Sequence, residues 1–192
     1  MSTLYILGGG TPTPTPDRFG SSYVIELDDH KSKIMFDCGP AATDKLVKAG
    51  LWPTDIDYLF FTHHHFDHDV DYPCFLLCRW DQSVGSENTL KVFGPKPTEK
   101  LTHDLIGENG AFAHDWKARI NAIPSQHVYV NRGGTLPRNP PTISDTKIVS
   151  FLSSRHLIVF CIYFVLIHFH YAIYRFSNSN YPICWYSQFT IR

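Results

Sequence analysis

Tyr58-Leu59-Phe60-Phe61-Thr62-His63-His64-His65-Phe66-Asp67-His68 is an apolar run that ends in three successive imidazoles, followed by a carboxylate and a fourth imidazole. A buried strand that opens into a turn at this point alternates its side chains between two sides. His63 and His65 then leave the strand end together as a pincer, and His64 faces away. Asp67 and His68 follow in the turn, within reach of a second point. Imidazole nitrogen and carboxylate oxygen are donors that a Zn²⁺ ion accepts in a tetrahedral shell, and a catalytic site keeps one position open for water. A water so placed has its pKa lowered towards about 7 and becomes a nucleophile at neutral pH. A solvated His-rich turn is the bland alternative. An H-x-H-x-D-H array directly after an apolar strand is far more specific than a lone pair of histidines.

The surroundings read as alternating strands and helices. Short runs near 3–8, 21–27 and 32–37 are β-branched or aromatic with turns between them. Ala41 to Ala49 sets Ala42, Leu46 and Ala49 on one helical face, and Gly50 ends the helix. The metal-bearing strand comes next, then a helix over 69–79 interrupted early by Pro73, a strand at Leu90–Pro95 and a helix from Thr98 to Ile106. This order points to an α/β architecture. Gly8-Gly9-Gly10 is not a dinucleotide loop, because G-x-G-x-x-G requires glycine where Thr13 stands, and prolines follow where a helix should begin.

These stretches resemble the metallo-β-lactamase superfamily, of which H-x-H-x-D-H is the signature. Leu4-Tyr5-Ile6-Leu7-Gly8-Gly9-Gly10-Thr11 is similar to its first strand and glycine turn, Ser21 to Glu26 to its second strand, and Ile34-Met35-Phe36-Asp37-Cys38-Gly39 to its third strand ending in D-x-G. The opening from Pro12 through Ser22 resembles the ribonuclease Z-like branch, which carries a smaller residue where Phe66 stands. The likeness covers about residues 3–148. It implies the N-terminal half of an αββα sandwich, with two zinc sites: His63 and His65 on one ion, Asp67 and His68 on the other. Asp67 is also the implied catalytic residue, orienting or deprotonating the attacking water. Asp37 is implied behind the ligands, fixing an imidazole tautomer, although it could instead cap the helix that begins near Ala41. The implied reaction is zinc-hydroxide attack on an ester, phosphodiester or lactone.

A complete member adds a third His, a bridging Asp and a last His from its C-terminal half. His127 alternates with apolar residues and reads first as a half-buried strand histidine. His156, His168 and His170 lie in a stretch of different character. Hydrolysis is therefore expected to be impaired, and the alternative is an inactive chain that binds a partner or metal without turnover.

Charge and cysteine usage bound the partners. Residues 1–150 carry 14 Lys and Arg against 18 Asp and Glu, so nothing draws nucleic acid by long-range attraction, and a small-molecule or phosphodiester substrate is expected. Five cysteines without a C-x-x-C pair, and no N-terminal signal peptide, suit a cytoplasmic protein with reduced thiols.

From Val149 the composition changes. Residues 151–192 hold three Arg, no Lys, Asp or Glu, and 12 of the 28 aromatic residues. The domain reading is thus a partial metallo-β-lactamase-like domain over 1–148 and an apolar, non-family tail over 149–192. Residues 157–174, flanked by Arg155 and Arg175, approach the length of a membrane-spanning helix, which is the alternative to the cytoplasmic reading. A buried strand pair is a second reading of the tail. The third is translated non-coding DNA, since Val149-Ser150 is what an in-frame splice donor encodes, and the chain is then a family member cut after its N-terminal half. An apolar helix or loose strand near 157–174 and an irregular end are expected.

Overall fold

The computed structural model describes residues 2–27, 32–83, 89–120, 141, 147–151 and 187–191. Seven strands, β1 (Ser2–Gly9), β2 (Ser21–Glu26), β3 (Lys33–Phe36), β4 (Tyr58–Phe60), β5 (Lys91–Pro95), β6 (Lys147–Phe151) and β7 (Ser187–Ile191), form one sheet in the order β6-β5-β4-β3-β2-β1-β7. β1 and β2 pair antiparallel, as do β2 and β3. From β3 to β6 the pairing is parallel. Parallel neighbours need crossover connections, which helices usually supply. Here these are α1 (Ala42–Lys48), the short α2 (Phe66–Asp69) with α3 (Tyr72–Ser83), and α4 (Thr98–Ile106) with α5 (Ala113–Ile120).

Strand alternation decides which face takes the helices. Val24, Met35, Leu59 and Val92, one from each of β2 to β5, are fully buried with Leu46, Tyr72, Phe75 and Ile106 in one apolar cluster. Their neighbours Phe36, Phe60 and Phe93 point the other way, are half-buried, and stack in register with ring centroids 5.5 and 4.6 Å apart.

α1 shows how local sequence sets an element. At its end the Gly50 N–H donates to Val47 O and the Leu51 N–H to Leu46 O, with Gly50 at φ +82°. This is the Schellman arrangement, in which glycine takes the left-handed position. At its start Ala41 adopts φ +57° and supplies no side-chain cap. The Asp71 carboxylate accepts the Thr43 N–H at 2.6 Å instead. The reading of Asp37 as the cap of α1 is therefore corrected: Asp71, beyond the metal loop, does that work.

Pro73 sits in the first turn of α3, where no N–H is needed, so the break falls before the helix and leaves α2 as a separate turn. In the tail, the expectation of an irregular end is corrected by β7, which pairs antiparallel along β1 from Ser2↔Ile191 to Ile6↔Ser187. Without it β1 would be an open edge, and an unpaired row of N–H and C=O groups is a template for a strand. β6 runs across position 148, where the composition changes. His127 and the segment 157–174 lie outside the described residues.

Candidate metal centre

The array leaves the C-terminal end of β4 between the ends of β3 and β5, the edge of a parallel sheet at which ligands commonly bind. Three backbone segments meet there at close range. Cys38 N–H donates to His68 O at 2.6 Å, Asp71 N–H to Cys38 O, and Gly39 N–H to Ser21 O. A Cβ on Gly39 would lie 2.2 Å from Asp67 O and 2.7 Å from Ser21 O. Glycine at 39 is thus what lets the loop descend onto the strand ends.

Asp37 is the hub beneath the loop. It is 2% exposed and takes φ +57°, which Asp tolerates better than most residues. Its Oδ1 accepts the Thr62 N–H at 2.8 Å. Its Oδ2 accepts Ser21 Oγ–H at 3.0 Å and His68 Nδ1–H at 2.7 Å, and the Thr62 hydroxyl lies 3.0 Å from both oxygens. With its one proton given to Asp37, Thr62 Oγ1 accepts from His63 Nδ1 at 3.0 Å. This network assigns a proton to Nδ1 of both His63 and His68 and leaves both Nε2 atoms bare. Burial lowers the pKa of His68, but the hydrogen bond and charge of Asp37, with Asp67 and Asp69, outweigh it and raise the value overall. Burial lowers that of His63, helped by His68.

The donor atoms come in two pairs. His63 Nε2 lies 3.1 Å from His65 Nδ1, and His68 Nε2 lies 3.4 Å from Asp67 Oδ2. The rings of His63 and His68 are 3.9 Å apart between centroids, so the pairs adjoin. Two ligands about 2.0–2.2 Å from one tetrahedral zinc lie about 3.3–3.6 Å apart, so the Asp67–His68 separation falls within that span and the His63–His65 separation lies about 0.2 Å below it. Asp67 is 1% exposed, and its Oδ1 has no hydrogen-bond partner, an orphan that a cation or water would satisfy. The donor set therefore fits zinc in kind and spacing. Among the described residues no three His, Cys, Asp or Glu side chains are placed to hold one ion. His64 turns away, to Asp69 and Thr98. His127, His156, His168 and His170 fall outside the described residues. The Thr62 and Ser21 roles were not read from sequence, although a hydroxyl directly before the first imidazole was a usable signal.

Residues 15–70 match the family model described as the metallo-beta-lactamase superfamily. With the array at the end of β4, this identifies residues 15–70 as a metallo-β-lactamase-superfamily region. Within the superfamily the similarity is to ribonuclease Z. The chain is 30% identical over 147 residues to ribonuclease Z of Latilactobacillus sakei, covering 68% of this chain and 46% of that protein. It is 31% identical over 108 residues to ribonuclease Z of Streptococcus uberis, covering 56% and 35%. The chain thus spans between a third and a half of the length of these curated relatives. Among solved structures it is similar to the short form of human tRNase Z, at 28% identity and a TM-score of 0.45, over 52% of this chain and 36% of that one. Among the described residues no helix is long and apolar enough to cross a membrane.

Proposed function

We propose that residues 63–68 hold zinc, His63 and His65 on one ion and Asp67 and His68 on a second, and that the chain is a zinc-dependent hydrolase acting on a phosphodiester. The observation that carries this reading is the pairing of four donor atoms at 3.1 and 3.4 Å beside the unpartnered Oδ1 of Asp67. Zinc bound there supplies Lewis acidity and lowers the pKa of a water molecule. The protein's own contribution is positioning. Asp37 and Thr62 fix the tautomers of His68 and His63, so that each Nε2 presents a lone pair. Asp67 Oδ1 is the atom placed to orient the attacking water or take its proton.

Among esters, lactones and phosphodiesters, the similarity to ribonuclease Z favours the last. The acidic balance of residues 1–150 weighs against long-range capture of RNA, and a small phosphodiester satisfies both observations. Among the described residues each donor pair is one short of the three protein ligands of a catalytic zinc site. Zinc is accordingly held weakly and turnover is low, and the second reading, metal binding without turnover, rests on the same two-donor pairs.

The test is zinc content after dialysis together with hydrolysis of bis(p-nitrophenyl) phosphate, in the wild type and in His65→Ala. The expected result is fewer than two zinc equivalents and slow turnover, both reduced in the variant. No zinc uptake overturns the proposal. Slow hydrolysis that persists in His65→Ala would show that the activity comes from elsewhere.

A further inference from the structure

His64 stands between two of the proposed ligands and does not join them. Its Nε2 lies 2.7 Å from Thr98 Oγ1, and its Nδ1 lies 3.1 Å from Asp69 Oδ2. The ring packs against Phe61 at 5.2 Å between centroids. Thr98 is fully buried at the first turn of α4, and its hydroxyl donates to Pro95 O at the end of β5. Gly94 clears the space, because a Cβ there would lie 2.4 Å from Thr98 Oγ1. The same cluster closes on itself: Thr102 Oγ1 donates to Thr98 O, Tyr72 OH bonds Thr102 Oγ1, and Tyr72 packs edge-on against Phe61.

From these contacts we infer that His64 is a positioning residue, a brace that ties the loop to β5 and α4 and so holds His63 and His65 pointing to one side. This inference rests on the metal-binding reading of residues 63–68. His65 itself is extended, at φ −92° and ψ 150°, and where successive residues leave on opposite sides, fixing the middle ring fixes the direction of the two that flank it. Asp37 and Thr62 anchor His63 and His68 from below. His65 is exposed, and its Nδ1 lies 3.1 Å from Nε2 of His63 itself. The brace is therefore what keeps the His63–His65 pair closed.

The experiment titrates metal-free wild type, His64→Phe and His64→Gln with Co²⁺, reading affinity and visible d–d bands, with thermal melting and amide hydrogen exchange over residues 62–70 alongside. Phenylalanine keeps the ring on Phe61 and loses both hydrogen bonds. Glutamine keeps an amide N–H donor for Thr98 Oγ1, whose own proton goes to Pro95 O. The expected result is Co²⁺ affinity weaker by about 10–100-fold in His64→Phe, the usual effect of removing a group behind a ligand. Wild-type affinity and band shape return in His64→Gln, and melting is little changed. Wild-type affinity in His64→Phe overturns the brace, as does a loss that follows unfolding and is not restored by glutamine. If the wild type takes up no Co²⁺, the metal reading fails, and the brace is then judged by exchange in the metal-free proteins. Faster exchange over 62–70 in His64→Phe, reversed in His64→Gln, supports it, and equal exchange overturns it.

Discussion

Nδ1 of His68 donates to Oδ2 of Asp37 at 2.7 Å, so a carboxylate at the end of one parallel strand sets the tautomer of an imidazole that follows the next. That contact makes the loop geometry a property of the sheet rather than of the loop alone. It also concentrates several donors on one buried group, whose removal leaves all of them unpaired.

Asp37→Ala strands the donors of Ser21, Thr62 and His68 in a buried site. Hydrogen bonds to a charged group contribute about 1.5–3 kcal/mol, and an orphaned buried donor costs on the order of 1–3 kcal/mol. Urea unfolding is expected to show a loss of about 2–4 kcal/mol. A loss below about 1 kcal/mol would mean that water replaces the carboxylate.

Two glycines should respond differently to alanine. At Gly39 the new Cβ meets Asp67 O at 2.2 Å, so Gly39→Ala must push the loop off the strand ends. The expected cost is about 2 kcal/mol or more, with weaker metal binding. At Gly50 no atom lies within 4 Å of a Cβ but φ is +82°, so Gly50→Ala costs about 1–2 kcal/mol and leaves metal binding unchanged. Equal effects on metal binding would show that the close approach at Gly39 is unimportant to the site.

The raised pKa of His68 makes a pH prediction for the metal-free protein. A histidine whose folded pKa exceeds its unfolded value, about 6.5, contributes stability that is fully present below that value. The contribution is lost as pH rises through the folded pKa. In chelator, the melting temperature of the wild type should exceed that of His68→Gln most on the acid side of pH 6.5, with the gap shrinking as pH rises. His63, whose pKa is lowered first by burial and then by His68, keeps the burial cause in both proteins and loses only the smaller push from His68 in the variant. A gap that widens with pH contradicts the assignment of Asp37 as the dominant favourable partner.

Asp71→Ala removes the acceptor of the Thr43 N–H at the start of α1. Loss of a helix cap typically costs about 1 kcal/mol, measurable as a lower midpoint in urea. No change would mean that water caps the helix equally well.

What the sequence made legible was local. The alternation in β1 to β5, the glycine stop of α1 and the array at the end of β4 are short-range patterns, and the structure follows them. The spacing of His63, His64 and His65 on an extended backbone foretold which ring would turn away. What escaped was set by distant partners. Asp71 caps a helix 28 residues upstream, and β7 finds β1 across nearly the whole chain. The segment that becomes β7, Ser-Gln-Phe-Thr-Ile, is β-prone but too short to announce its pairing. Asp37 looked equally suited to a helix cap until Ala41 took φ +57° and carried the chain past it.

Zinc K-edge X-ray absorption on the dialysed, zinc-loaded chain tests the assignment of residues 63–68 most directly. The expected spectrum shows nitrogen and oxygen donors at about 2.0–2.1 Å with the outer-shell scattering of imidazole, and both the zinc content and the imidazole scattering fall in His63→Ala/His65→Ala, which keeps only the His68 ring. A sulfur shell at about 2.3 Å would place the ion on cysteine thiolates instead, and that result, or a spectrum unchanged in the double variant, would contradict a zinc centre built from His63, His65, Asp67 and His68.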